Sequence, residues 1–315
     1  MIDMARNSNN VVIDSQKTLI VWLFVLALLI FAGGLYGWYQ YIHKSPYRVF
    51  WGMVDNNLRT YGVTRTYKQE NPGIALEQNL RLVLGANNAA VGVTNIKQTN
   101  ESGQKTEITT EVVGTPKANF ARYTTINTDQ NLTKSAKANL GEIKNIWSKE
   151  ELGRSDQVSQ SVFSEAAYFV TVPYANISQN NRSDIVAFMK SSTVYDIDFK
   201  DTHEVTKNGK KAVAYKVKIN VAKHLEMLKK LDSTMGLKQL DKVGSPPEDS
   251  PPVEVRMYVG IDSRQLLSVD YVGANRTENF SSFGARVNTD LPNADITRSQ
   301  LEQKLQNLLS GSGAN

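Results

Sequence analysis

The longest uncharged segment of the chain constrains its fold most strongly. Residues 18–42 read TLIVWLFVLALLIFAGGLYGWYQYI and carry no charged side chain. As a helix this segment is about 37 Å long, and a bilayer's hydrocarbon core requires about 20 such residues. Trp38, Tyr39 and Tyr41 lie together near one end, where amphipathic rings favour the membrane interface. We therefore predict a single membrane-spanning helix at 18–42.

A cleaved signal peptide is the alternative interpretation of this segment. Signal peptides have a shorter apolar stretch, which is followed by a small-residue cleavage site. Here the apolar stretch is long, a polar leader at 1–17 precedes it, and no A-x-A pattern follows it. We therefore favour a retained anchor and expect residues 1–17 to be a cytoplasmic leader. Basic residues occur on both sides of the helix, so the positive-inside rule does not decide its orientation.

The remaining composition excludes several classes of function. The chain has no Cys, which excludes disulfides, thiolate metal sites and thiol nucleophiles. Its formal net charge of +5 comes from basic residues that are scattered along the sequence, without a long block of like charges. Nucleic-acid-binding surfaces normally concentrate their basic residues in a stripe. We therefore expect no nucleic-acid partner.

The segment 207–230, KNGKKAVAYKVKINVAKHLEMLKK, begins with the clearest strand pattern of the chain. Its apolar and polar residues alternate, so an apolar row faces one side of the strand and a polar row faces the other. Asn208-Gly209 precedes this strand and is the strongest hairpin signal in the sequence. Segments 253–262 and 266–272 alternate in the same way. The three apolar rows are Val213, Tyr215, Val217 and Ile219; Val253, Val255, Met257 and Val259; and Leu267, Val269 and Tyr271.

Helical periodicity is confined to a few segments. A stripe at 50–61 is followed by Gly62, which we predict to be its C-cap. A second helix is predicted at 183–189 with Ser183 as its N-cap, and a third at 223–235. A polar helix closes the chain.

Short strands dominate the rest of the sequence. Alternating stretches between 80 and 127 are joined by Asn and Gly turns, which is typical of an antiparallel meander. Blocks of strands with few inserted helices predict an α+β fold with an antiparallel sheet. No linker divides residues 43–309, so we expect one domain there, followed by a flexible tail at 310–315.

Motifs that would indicate catalysis are missing from the sequence. His203 and His224 have no partner at a recognised metal-ligand spacing, and there is neither a P-loop nor a G-x-S-x-G nucleophile elbow. Asp196 and Asp198 are close enough in sequence for acid–base work, but the strand pattern places them on the solvent side. We therefore expect no enzymatic activity, no metal and no cofactor.

The order of these pieces resembles a known family. A short amphipathic helix leads into a meander, and the strand–helix unit GKKAVAYKVKINVAKHLEML is followed by the paired strands of YVGIDSRQLLSVDY. The segment FSSFGARVNTDLP, ending at Pro292, is similar to the last strand and exit of that family. Between about Phe50 and Pro292 the chain therefore resembles the LolA/LppX/LprG-like lipoprotein-carrier superfamily.

The resemblance implies a fold and a function. The sheet would be a strongly curved half-barrel, with helices packed on its concave side and the membrane-spanning helix before it. The chain would bind a lipid or an acylated ligand, with another envelope protein as a further partner. It would lie in the cell membrane as a single-pass protein, with its C-terminal domain outside the cytoplasm. The cavity candidates would be Val213, Tyr215, Val217, Ile219, Val255, Met257, Val259, Leu267, Val269 and Tyr271.

The chain departs from the family in one respect, and alternatives remain open. Family members are exported with a signal peptide, and the mycobacterial lipoproteins carry a lipidated Cys that this chain lacks. An uncleaved helix would replace that anchor, so a fixed donor, acceptor or local lipid handler fits better than a shuttling carrier. The apolar rows are equally consistent with a solid core, filled by the helix at 223–235, in a sensing or protein-interaction domain. A cell-wall or surface structural protein is a third interpretation.

Overall fold

A computed structural model describes residues 27–85, 87–129, 134–152, 161–168, 170–247, 249–285 and 289–310. The chain divides into two units, the first ending at Val49 and the second beginning at Phe50.

In the first unit, residues 27–37 are α-helical and the helix continues as a π-helix over Trp38–His43. The predicted leader at 1–17 and residues 18–26 of the predicted span lie outside the described residues. Within the part of the chain that the structure describes, no helix is both long enough and apolar enough to cross a membrane.

Helices of the second unit are separated by long stretches of strand. Helix α1 begins at Pro46, in the first unit, and its apolar stripe is buried as predicted, with Phe50, Val54 and Leu58 inaccessible to solvent. The helices are α1 (Pro46–Leu58), α2 (Lys134–Ile143), α3 (Val162–Tyr168), α4 (Gln179–Ser191), α5 (Val221–Thr234) and α6 (Arg298–Ser310).

Two predicted helix ends were wrong. Helix α1 ends at Leu58, and Gly62 is the first residue of a strand instead of a C-cap. Helix α4 begins earlier than predicted, because the side chain of Ser178 accepts a hydrogen bond from the Asn181 backbone N–H and so caps the helix. Ser183 lies inside this helix.

The strands of the described chain form one large sheet. They are β1 (Gly62–Asn71), β2 (Ile74–Val83), β3 (Ala89–Thr99), β4 (Lys105–Gly114), β5 (Ala118–Thr128), β6 (Ser148–Glu151), β7 (Tyr195–Ile197), β8 (His203–Lys207), β9 (Lys210–Ile219), β10 (Val253–Gly260), β11 (Leu266–Tyr271), β12 (Arg276–Ser281) and β13 (Ile296–Thr297). Their order is β13-β6-β5-β4-β3-β2-β1-β12-β11-β10-β9-β7, with β8 also paired to β9. Every pair is antiparallel except β13 with β6. The predicted α+β class with an antiparallel sheet is confirmed.

The sheet is open, since the described strands β13 and β7 lie at its two ends and do not pair with each other. It is at most weakly curled, which differs from the strongly curved half-barrel that the family resemblance implied. The sequence pattern could not decide this point. Alternation of apolar and polar residues assigns side chains to faces, but it does not determine how far successive strands bend.

The predicted hairpin is present at the start of β9. Asn208 and Gly209 join β8 to β9, and both have positive φ, at 52° and 73°. These are the angles of a type I′ turn, for which Asn-Gly is the preferred pair. The turn sets the register of β9 against β8 and thereby fixes which residues of β9 face the helices.

Helices pack on the sheet at several places. Helix α3 lies against β2, β3 and β4, and α4 packs on α5. Near the other end of the sheet, α2 packs on α6 and encloses a separate apolar cluster of Tyr123, Ile126, Leu140, Ile143, Leu301 and Leu305. The apolar rows of β9, β10 and β11 are buried, and they lead to the candidate site.

Candidate functional site

The apolar rows predicted from the sequence are mostly deep in the protein. Tyr271 is half-buried. The other cavity candidates are each at most 5% exposed: Val213, Tyr215, Val217, Ile219, Val255, Met257, Val259, Leu267 and Val269. The three rows also meet across the sheet, because Met257 pairs with both Tyr215 and Val269.

Helix α1 contributes an aromatic side chain that packs against the middle of these rows. The ring of Phe50 lies 5.4 Å from that of Tyr215 and 5.7 Å from that of Tyr195, in edge-to-face arrangements. Phe199 packs on Phe50 and on Tyr215, with its ring centre 6.2 Å and 6.4 Å from theirs. Edge-to-face packing is favourable for aromatic pairs. The Tyr215 side chain is therefore packed against protein side chains.

A β-bulge changes one predicted position. The register between β10 and β11 shifts between Tyr258 and Val259, so Val259 pairs with Leu266. Leu267 becomes the extra residue of the bulge and does not continue the row that Val269 and Tyr271 form. Bulges insert a residue without any clear sequence signal, which is why the alternating pattern assigned Leu267 to that row.

An apolar cavity of about 580 Å³ lies at the end of the rows. Of the predicted residues, Ile219 and Tyr271 line it. The other lining residues come from outside the predicted rows or from their margins: Tyr168, Val170, Thr171, Val221, His224, Leu225, Leu228, Gly244, Ser245, Pro246, Val253 and Arg276. The volume lies within the range of about 300–1,000 Å³ that is usual for ligand sites.

Helix α5 forms the apolar wall of this cavity. The helix starts directly after β9, where the side chain of Asn220 accepts a hydrogen bond from the Lys223 backbone N–H at 3.0 Å. Val221, Leu225 and Leu228 then face the cavity at helical spacing. Residues that the sequence analysis assigned to core filling are therefore also the wall of the open space.

A buried hydrogen-bond pair holds α5 in place. The hydroxyl of Tyr168 in α3 donates to Asp232 Oδ1 at 2.6 Å, and Asp232 Oδ2 accepts from the Leu240 backbone N–H at 3.0 Å. Asp232 is inaccessible to solvent. Burial, with a further contribution from Asp232, raises the pKa of Tyr168 well above its ordinary value, so the phenol remains a donor. These contacts tie α5 to α3 and to the loop that follows α5.

The polar end of the cavity is formed by β11 and β12. Glu278 is inaccessible to solvent, and its Oε1 accepts hydrogen bonds from the Tyr271 hydroxyl at 2.9 Å and from Arg276 Nη2 at 2.7 Å. Burial, followed by the Glu278 charge, raises the pKa of Tyr271. Burial by itself would lower the pKa of Arg276, but the charges of Tyr271 and Glu278 and the hydrogen bond to Glu278 raise it by more, so that the net shift is upward. Arg276 and Glu278 therefore form a buried ion pair in which only the cation borders the cavity.

His224 is the second titratable group on the cavity wall. Burial lowers the pKa of His224 from 6.5 to about 4, against a smaller opposing effect of a hydrogen bond with the Val170 backbone. The imidazole is therefore neutral at neutral pH. Its Nδ1 is enclosed and has no hydrogen-bond partner among the residues that the structure describes.

Two further clefts differ in character. A larger one, of about 910 Å³, is lined mainly by polar residues that include Lys117, Lys149 and Glu151. Another, of about 440 Å³, has mostly charged lining residues together with Val217 and Val255. Neither combines an apolar wall with a buried ion pair.

Sequence reasoning missed the residue that gives the cavity its polarity. Arg276 and Glu278 are two residues apart on a strand, so they share a face. That spacing was the available signal, but charged pairs on strands usually indicate a solvent-facing row. The pair is internal because its face of β12 borders the space that residues of α3 and α5 cover, and local spacing does not encode which face of a strand is covered.

Comparison with known proteins gives a coarse classification. The described fold belongs to the α+β class built on one large antiparallel sheet. No family model matches the sequence, and no curated protein matches it. Among solved structures, the chain is similar to the crystal structure of LprF from Mycobacterium bovis, with a TM-score of 0.39 and 11% sequence identity, over 79% of this chain and 96% of that chain. This is a distant structural relation only.

Proposed function

We propose that the chain binds the acyl chain of a lipid or of a lipidated molecule in the cavity beside α5. The observation that carries this proposal is an apolar space of about 580 Å³ bounded by Ile219, Leu225 and Leu228. An alkyl chain is the ligand chemistry that such a wall stabilises without directional contacts. No catalytic residue is needed for this activity.

Burial of an alkyl chain against this wall contributes a favourable term to binding. Burial of a methylene group is worth about 0.8 kcal/mol, so about eight buried methylenes would supply about 6 kcal/mol. Leu225 and Val253 are only partly covered by the protein itself, so a ligand would remove further apolar surface from water. This gain would offset part of the cost of withdrawing the ligand from a bilayer.

The proposal also includes a membrane anchor at 18–42, with the C-terminal domain outside the cytoplasm in envelope lipid or lipoprotein handling. The absence of Cys makes this easy to test, because a single introduced thiol can be labelled alone. Ser102 is exposed in a turn. In intact cells, a Ser102→Cys variant should react with a membrane-impermeant maleimide and should remain in the membrane fraction after carbonate washing. Protection of the thiol, or release by carbonate, would contradict this part of the proposal.

A specific observation favours a second function. The aromatic packing of Phe50 on Tyr215 fills the middle of the predicted cavity with protein side chains. A domain of this kind, in which the remaining space stays empty, would be a sensing or protein-interaction module without a small ligand. The two functions differ in whether the cavity beside α5 is ever occupied.

Substitution of the cavity wall separates these functions. We expect the full-length chain to retain lipid through purification, detected by mass spectrometry of an organic extract. Leu225→Trp should fill the open space and reduce the bound lipid several-fold without loss of stability. The control is Val217→Trp, at a position that is 1% exposed, where overpacking should lower the free energy of unfolding by about 1–3 kcal/mol. Wild-type protein without lipid, which also fails to bind a fluorescent acyl probe, would support the second function.

A further inference from the structure

The rim of the cavity holds a guanidinium group in a fixed position. Arg276 is the first residue of β12, and its Cζ lies 4.0 Å from the centre of the Tyr271 ring and 4.9 Å from that of the Tyr67 ring. Glu278 Oε1 accepts from Nη2 on the buried side. Contacts with two rings and one carboxylate restrict the side chain, so less conformational entropy remains to be lost when a ligand binds.

Within the described part of the chain, Arg276 uses few of its donors in hydrogen bonds to protein. A guanidinium has five N–H donors. Among the residues that the structure describes, the protein acceptor of Arg276 is Glu278 Oε1, and Nε has no partner. The side chain is 29% exposed, whereas that of Glu278 is 0% exposed. A molecule in the cavity therefore meets the exposed part of the guanidinium, other than the enclosed Nε, but does not meet the carboxylate.

The charges around the cavity favour an anion at this position. Arg276 is the one charged side chain among the described lining residues, and His224, which also lines the cavity, is neutral at neutral pH. The nearby cation Arg65 is itself buried, and its Nη2 lies 3.6 Å from Glu165 Oε1. The charge of Arg276 thus borders a space whose lining is otherwise uncharged and mostly apolar, where an ionic hydrogen bond is stronger than in water.

We propose that the cavity selects amphiphiles with an anionic headgroup, a carboxylate or a phosphate ester, which binds Arg276 while the alkyl chain lies along α5. This inference rests on the function proposed above and specifies its ligand class. Carboxylate and phosphate both match the planar donor fork of arginine. A neutral headgroup would leave these donors without an ionic acceptor.

Photolabelling of the full-length chain in phosphatidylcholine nanodiscs tests the inference. The probes are a fatty acid and an alkyl phosphate, each with a diazirine on its alkyl chain, and the matching alcohol as neutral control. Trypsin releases residues 224–229, HLEMLK, from the cavity wall and residues 212–216, AVAYK, from the packed row. We expect both anionic probes to label 224–229 about tenfold more than the alcohol does, since a charge-assisted hydrogen bond is worth at least that factor. Labelling of 212–216 should remain low for every probe.

Substitutions test whether Arg276 is the cation that causes the preference for anionic probes. The double variant Arg276→Met with Glu278→Gln removes both charges together and leaves no unpaired ion in the interior. It should label equally with all three probes, at the level of the alcohol in the wild type. Arg256→Met removes an exposed arginine from β10, which is separated from β12 by β11, and should retain the tenfold preference.

The outcomes are separable from those of the proposed function. Equal labelling of 224–229 by the anionic probes and the alcohol in the wild type would overturn the inference and leave acyl-chain binding intact. A preference that survives in the double variant would also overturn it, because the anion would then bind elsewhere. Absence of labelling by all three probes would overturn both proposals. A double variant that fails to fold, judged by circular dichroism, leaves the wild-type comparison to decide.

Discussion

Acidification should destabilise this protein through His224. The ring lies on the cavity wall, and burial lowers its pKa from 6.5 to about 4. Between these two pH values the unfolded chain binds a proton that the folded chain excludes. The contribution of His224 to the free energy of unfolding is therefore fully present above pH 6.5. It is lost progressively as the pH falls from 6.5 to about 4. The substitution His224→Gln removes the titration and retains an amide N–H that can bond to the Val170 backbone.

The size of the effect follows from the two pKa values. Each pH unit between 6.5 and about 4 corresponds to about 1.4 kcal/mol of stability. Integration of this slope from about pH 7.5 down to about pH 5 gives a loss of about 2 kcal/mol from this one group. Other titrating groups contribute to the total loss in the wild type, but they contribute equally in the variant.

Urea unfolding of the full-length chain in a neutral detergent, followed by tryptophan fluorescence, measures the difference. The free energy of unfolding of the wild type should fall by about 2 kcal/mol more than that of His224→Gln between the two pH values. His203 provides the control, because it is exposed on β8 and His203→Gln should behave like the wild type. Equal losses in the wild type and in His224→Gln would refute the argument that the buried imidazole excludes its proton.

Two further predictions concern backbone approach and the buried ion pair. A Cβ added at Gly92 would lie 1.9 Å from the Asn79 backbone oxygen, so Gly92→Ala should cost about 3 kcal/mol or more in urea unfolding. Gly141→Ala, in a helix with nothing within 4 Å of the new Cβ, should stabilise by about 0.5–1 kcal/mol, and a cost similar to that at Gly92 would contradict this reasoning. Arg276→Met should lower the free energy of unfolding by about 3–5 kcal/mol because it leaves the Glu278 carboxylate buried without its cation. Adding Glu278→Gln should restore most of the loss of thermal stability, and a double variant as unstable as the single one would exclude an uncompensated charge as the cause.

Local sequence patterns determined much of this fold. Alternation in β9 and β10 identified which residues are buried, because a strand exposes successive side chains to opposite faces whatever its neighbours are. The Asn208-Gly209 turn could also be predicted from local sequence, because few residue pairs readily adopt positive φ at both central positions of a turn. The buried stripe of α1 followed from helical periodicity.

What covers these faces was decided by tertiary structure alone. The row of β9 could have faced a ligand or a solid core, and Phe50, from a helix far away in the sequence, closes its middle. The cavity that remains lies at the end of that row, where α5 and a proline-containing loop approach Ile219 without filling the space. The pair of Arg276 and Glu278 is likewise internal only because residues of α3 and α5 cover its face of β12. Periodicity is a property of a single segment, whereas a cavity is the space left between several segments, and its position depends on how all of them pack together.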